Sequence, residues 1–318
     1  MRRRRPGPRR YLGIVLATVS LGLAACGGSD TGGAVSPGGP IVDAGGSGQS
    51  AVGLKGPPGA LRADVPAAVA ATGVLRVGAA VGRAPLLFYG TGTRQLEGID
   101  ADLLQGIGHR LGLQINVVNQ PLDQLGTELL AHHTDVFMSG FVDLKAFQKA
   151  GIDFVDYLSG RSAVLVRQGD PGRVQGPEGV CGKRIGVLGG TAQQVALTAL
   201  DQACAAHGRP RASVRLESDH AVSLNDLVTG QLDALLDDAV VAQYTAQVST
   251  GAATVEVAGN PVDPLPYGIG VAKDQPQLRN AIQSALRAMV ADGSYDAVLN
   301  HWGGEEAALH TITVNAGP

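Results

Sequence analysis

From Val74 to Met289 the chain alternates short β-rich runs with stretches of helical periodicity, and this alternation restricts the fold more than any other feature. "VLRVGAA" (74–80), "INVVN" (115–119), "TDVFMSG" (134–140), "SAVLVRQ" (162–168), "KRIGVLGG" (183–190), "SVRLES" (213–218), "LDALLDD" (232–238) and "YGIGVA" (267–272) read as strands. Between them, Leu103, Leu104, Ile107 and Leu111 recur at helical spacing, as do Leu278, Ile282, Leu286 and Met289. Helices are also predicted over Leu122–His132 and Thr191–Ala206. Such alternation predicts an α/β fold with largely parallel sheets. Gly/Pro-rich breaks near 167–179 and 258–268 predict two lobes, with the chain leaving one at the first break and returning at the second.

The first 60 residues stand apart. Arg2–Arg5, Arg9 and Arg10 precede an uncharged apolar run, Tyr11–Leu23, which has the shape of an export signal and is too short for a permanent membrane span. "LAAC", ending at Cys26, resembles a bacterial lipobox, which implies lipidation of Cys26 and removal of residues 1–25. Loss of six arginines and no acid takes the formal charge from −3 to −9, and no basic stripe remains to hold nucleic acid. Residues 26–60, rich in Gly, Ser and Pro, read as a flexible tether.

In an exported chain the remaining cysteines, Cys181 and Cys204, are expected to pair, closing a loop worth roughly 3 kcal/mol. No histidine stands at ligand spacing from either, so no metal is expected and all seven histidines are read as surface or structural. Gly189-Gly190-Thr191 ends a strand and starts a helix: it is either an anion site at the helix N-terminus or a plain turn with Thr191 as N-cap. Asp237 and Asp238 follow an apolar strand, so one of them can reach the carboxyl end of the sheet.

With these segments in hand, the chain resembles the extracytoplasmic solute-binding proteins of family 3, the polar amino-acid receptors of ABC importers. "GVLRVGAA", "PLLFYGTGTRQLEGIDADLLQGIGHRLGL", "DVFMSG", "IDFVDYLSGRSAVLV", "CGKRIGVLGGTAQQ", "TGQLDALLDDAVVA" and the stretch from "YGIGVAKDQ" to "NHWGG" carry the resemblance over roughly residues 72–303. It implies a two-lobed type II periplasmic-binding-protein fold: lobe 1 over 61–168 with a return over 263–304, lobe 2 over 169–262, and a tail over 305–318. It also implies a cleft that closes on a small ligand. Asp238 then corresponds to the acid that meets the ligand's ammonium, with Asp237 its outward neighbour. Thr191 and Gln193 correspond to the turn that holds the carboxylate, and Ser139, Gly140 and the aromatic Phe88 to first-lobe contacts.

One departure bears on specificity. Family members carry an arginine after the third strand that grips the ligand's carboxylate, and here that position falls on Gln148 or Phe147, with Val142 near where a hydroxyl is usual. Lys145 is a possible substitute, and Arg83 is either a solvated loop residue or the replacement anion grip. The resemblance implies a monomeric, lipid-anchored receptor on the outer face of the plasma membrane, working with an ABC permease, binding a small polar solute and needing no cofactor. The alternatives are an enzyme on the same fold, such as a cyclohexadienyl dehydratase, and a ligand sensor without a transporter.

Overall fold

The computed structural model describes residues 41–43, 52, 54–169, 174–251 and 254–318; the signal segment and Cys26 lie outside the described residues. Its strands are β1 (Ile41–Asp43), β2 (Val74–Ala79), β3 (Phe88–Tyr89), β4 (Leu96–Glu97), β5 (Gln114–Asn119), β6 (Val136–Phe137), β7 (Ile152–Arg167), β8 (Arg184–Leu188), β9 (Ser213–Glu217), β10 (Ala234–Asp238) and β11 (Val255–Ala272). The helices are α1 (Ala67–Thr72), α2 (Ile99–Leu111), α3 (Leu125–Leu130), α4 (Lys145–Lys149), α5 (Ala192–Ala206), α6 (His220–Val228), α7 (Ala239–Val248), α8 (Pro276–Ala291) and α9 (Ser294–Trp302).

Nine strands form one sheet in the order β1-β5-β2-β6-β11-β7-β10-β8-β9. It has two parallel wings, β5-β2-β6 and β10-β8-β9, as the alternating pattern requires. The long antiparallel pair β7 and β11 runs through both. The first part of β7 pairs with the end of β11, beside β6; its last part pairs with β10. Two α/β wings joined by crossing strands are the fold that the sequence predicted.

Each wing is packed on both faces. In β7, Val164 and Val166 point into the cluster under α5 with Ile185 and Val187, while Ala163 and Leu165 point into another with Leu227, Leu235 and Ala242. This is the period of two that puts alternate strand residues on opposite faces. In the first wing, α2, α8 and α9 cover one face through Leu103, Ile107, Leu286 and Val298, and an aromatic cluster of Phe137, Phe141, Phe147 and Phe154 fills the other. Phe147, one of the two positions where the family's arginine falls, is thus part of a core.

Three local expectations change. The helix expected over Leu122–His132 is a 3-10 turn, Leu122–Gln124, followed by α3, which ends at Leu130. The strand in "TDVFMSG" is only Val136–Phe137. The Gly/Pro-rich break at 258–268 lies within β11, whose pairing with β7 shifts register between Ala258 and Val262, between Val262 and Leu265, and between Tyr267 and Gly268. Prolines 261, 264 and 266 fall in this irregular stretch, where the missing N–H does not break a regular ladder. Cys181 and Cys204 are bonded, with Cα atoms 5.6 Å apart, tying the segment before β8 to α5.

Residues 308–318 form a strap across β7. Ala308 bridges to Leu158 and Val314 to Val155. Three buried carboxylates receive it. Asp156 accepts from the Thr313 hydroxyl (2.7 Å) and Ala316 N–H (3.3 Å). Asp153 accepts from the Asn315 amide (2.9 Å), and Asp143 from Gly317 N–H (2.7 Å).

Candidate functional site

The carboxyl ends of β2 and β8 face each other across a cavity of about 650 Å³. Residues 80–83 and 119–123 of the first wing line it, as do 188–190 and 216–220 of the second. Such strand ends are where open α/β sheets bind ligands, because loops and helix starts converge there.

Arg83 lines the cavity yet is 5% exposed, and its Nε and Nη1 have no hydrogen-bond partner. It sits in a tight turn in which its N–H donates to Leu87 O and its carbonyl accepts from Leu86 and Leu87 N–H. The guanidinium lies close to Gly140: a Cβ there would come within 3.6 Å of Arg83 Nη1 and 3.5 Å of the Tyr267 ring. Those are ordinary contact distances, but Gly140 has φ +55° and a Cβ would also come within 2.8 Å of Leu86 Cδ1, so the backbone conformation is what favours glycine here.

Two buried polar networks lie within reach of the Arg83 charge. Asp100, in the first turn of α2, accepts from Tyr157 Oη (2.8 Å), which in turn accepts from Gly140 N–H (3.0 Å). Burial lifts the Asp100 carboxyl to about 7, although the Tyr157 hydrogen bond and the Arg83 charge oppose the shift. From β11, Tyr267 lies flat against Gly160 and donates from Oη to Asp238 Oδ2 (2.7 Å). The Gln193 amide donates to the same Oη (3.1 Å).

Asp238 is the N-cap of α7: its Oδ1 accepts from Val240 N–H (2.9 Å) and Val241 N–H (3.3 Å). Both carboxylate oxygens therefore have partners within the chain. Burial raises its pKa against the pull of Arg83 and Tyr267. Asp237, read from sequence as an outward neighbour, is instead buried and accepts from His220 Nε2 at 2.7 Å. Burial pushes the Asp237 carboxyl up, but the His220 charge and hydrogen bond prevail and hold it below the usual range. His220 is the mirror case: burial pulls it down and Asp237 brings it above its ordinary value. His220 begins α6 and also lines the cavity, so of the surface and structural roles that the sequence left open it has the structural one, at the cavity wall.

The other sequence candidates fall in four places. Ser139 Oγ accepts from Ala80 N–H (3.1 Å) and donates to Ala80 O (3.2 Å), pinning the end of β2 beside Arg83. Thr191 caps α5, accepting from Gln194 N–H and donating to Leu188 O, so the plain-turn reading describes its own contacts. Phe88 packs edge-on against Trp302 (5.6 Å) and tilted against Tyr244 of α7 (6.3 Å); Trp302 Nε1 donates to Asp102. Lys145 stands apart from this group, its ammonium donating to Gly317 O (2.7 Å), and Gln148 donates to Asp143 (2.7 Å). Both are occupied by the strap and its acids.

Asp100, Tyr157, Tyr267 and His220 had no role in the sequence reading. Asp100, Tyr157 and Tyr267 lie inside the motifs that carried the resemblance, but their partners are 57, 57 and 29 residues away, beyond any local pattern.

Comparison with known proteins places the chain in a family. The model of bacterial extracellular solute-binding proteins, family 3, matches residues 75–305. The arginine-binding protein ArgT of Corynebacterium glutamicum is 26% identical over 81% of this chain and 83% of its own. The histidine-binding periplasmic protein of Escherichia coli K12 is 28% identical over 64% and 77%. Among solved structures, an ancestral amino acid-binding protein described as a precursor of cyclohexadienyl dehydratase superposes with a TM-score of 0.66 at 25% identity, covering 74% of this chain and 97% of that one. The family match spans both wings and the crossing strands, and the chain belongs to the bacterial extracellular solute-binding proteins of family 3.

Proposed function

We propose that this chain is the substrate-binding component of an ABC importer, held at the membrane by lipid on Cys26, and that it captures a small amino-acid-like solute between its wings. In this reading lobe 1 comprises residues 61–168 and 263–304, lobe 2 residues 169–262, and an ABC permease is the partner. The observation that carries it is the cavity between the strand ends of both wings, with a buried guanidinium on its wall whose donors are unmet. Solute receptors with curated relatives for arginine and histidine give the class of ligand its support. Arg83, Ser139, Gly140, Thr191, Gln193, Asp238 and Phe88 form or brace the cleft.

The structural relative that preceded a dehydratase raises the enzyme alternative. Such chemistry needs a general acid facing the ligand. Asp100 has a suitable pKa of about 7, yet it is fully buried and is not among the residues lining the cavity. The receptor reading therefore has the better support.

The test is a thermal-shift screen of the full chain against the twenty amino acids, related amines and cyclohexadienyl acids. A ligand at 100 times its dissociation constant adds about 2.7 kcal/mol. Stabilisation by an amino acid without turnover is expected; conversion of a cyclohexadienyl acid would overturn the receptor reading. For the anchor, Cys26→Ala is expected to leave the chain in the soluble fraction, and unchanged membrane association would refute lipidation there.

A further inference from the structure

Resting on that reading of the cleft, we propose that its ligand is an acidic solute, a dicarboxylate or dicarboxylic amino acid, received through a carboxylate that docks on Arg83 beside His220. The cavity wall carries these two side chains from opposite wings, Arg83 after β2 and His220 at the start of α6.

Arg83 cannot relieve its own unmet donors. A guanidinium does not lose its proton in a protein, so its Nε and Nη1 can be satisfied only by an acceptor brought from outside. The acids nearest it are engaged elsewhere. Asp238 has two backbone N–H groups and the Tyr267 hydroxyl, Asp237 holds His220, and Asp100 accepts from Tyr157. A carboxylate offers the paired oxygens that a guanidinium fork matches, in a site dry enough for the charge-assisted bonds to count.

His220 adds a second positive group to the same wall. Its Nε2 is fixed by Asp237, which orients the ring. The charged groups facing it are Asp237 from β10, Arg83 from the opposite wing and Asp219 at the N-cap of α6; Asp123 and Glu217 line the cavity farther along. Glu217 is paired with Arg215 (2.6 Å), and Asp219 accepts from Val222 N–H (3.1 Å). Asp100, Asp237 and Asp238 lie near enough to feel the Arg83 charge but give its Nε and Nη1 no hydrogen bond, so the demand left on this wall is for an acceptor, which a cationic side chain does not offer.

The experiment is isothermal titration of the full chain with glutamate, aspartate, succinate, glutamine, histidine, arginine and lysine at pH 6.0 and 8.0. The wild type and the variants Arg83→Lys, Arg83→Gln and His220→Gln are compared, each checked for folding by circular dichroism. An acidic solute is expected to bind at least tenfold more tightly than glutamine and at least a hundredfold more tightly than arginine. Arg83→Gln should weaken it about a hundredfold, and Arg83→Lys, which keeps the charge and loses the fork, about tenfold. Affinity should fall between pH 6.0 and 8.0 in the wild type and fall less steeply in His220→Gln, where the remaining slope belongs to Asp100. If arginine, lysine, histidine or glutamine binds as tightly as any acid, the receptor reading stands and the acidic specificity is wrong. Unchanged acid affinity in Arg83→Gln also overturns it, and silence across all seven solutes overturns both readings.

Discussion

Two polar clusters are buried on β7, and they differ in what they leave unmet. Under the strap, Asp143, Asp153 and Asp156 are met by Gln148, Arg279, Asn315, Thr313 and backbone N–H groups. The leftover atom there is an acceptor, Asp156 Oδ1. Burial lifts Asp156 to about 6, with the nearby Asp143 charge adding to the shift, so below that pH a proton taken up by Asp156 can satisfy that oxygen. In the cleft the leftover atoms include donors, Arg83 Nε and Nη1, and a guanidinium has no such remedy. One cluster completes itself with protons and its own chain; the other waits for an acceptor. That is the physical difference between a buried acid cluster that holds the fold and one that, in the function proposed above, receives a ligand.

The contrast can be broken most severely at the strap. Gly317→Val drives a side chain against the Asp143 carbonyl and strips Asp143 of a buried N–H donor, and should cost about 4 kcal/mol in urea unfolding. A loss under about 1 kcal/mol, the size of an ordinary hydrogen bond, would mean that the strap does not hold the fold.

Next comes Asp100→Asn, which sharpens the cleft side. The folded pKa of Asp100, about 7, lies above its unfolded value, so its contribution to stability is complete below about pH 4 and is lost as pH rises through about 7. Since a tenfold difference in proton affinity is worth about 1.4 kcal/mol, the wild type should lose a few kcal/mol from this group between pH 5 and 8. The amide should remove most of that slope in thermal melts, and an unchanged slope would place the titration elsewhere. Tyr267→Phe leaves Asp238 Oδ2 and the Gln193 amide without their shared partner and should cost about 2 kcal/mol, read from the same melts. Smallest of all, Thr313→Val removes one of the hydrogen bonds to Asp156 and should cost about 1 kcal/mol in urea unfolding.

The wings were legible because their information is local: β-branched runs, helical spacing and the capping residue Thr191 each act within a few positions. The site was legible only where a motif marked it. Arg83 stood out through the absence of an arginine near Gln148, and the strap, read only as a tail over 305–318, carried no such mark. Its anchoring acids look like surface residues in "VDLKAFQKAGIDFVDY" until the strap is folded over them. The irregular part of β11 was misread for the opposite reason, since Pro and Gly usually end strands and here they sit at register shifts.

The chain holds a single tryptophan, and its place has a practical consequence. Trp302 belongs to α9 of the first wing, and Phe88, stacked edge-on against it, touches Tyr244 of the second. Any change in the angle between the wings alters the surroundings of that one indole. The molecule therefore carries its own optical gauge, and a shift in emission wavelength on adding a solute would register closure in unlabelled protein within milliseconds of mixing.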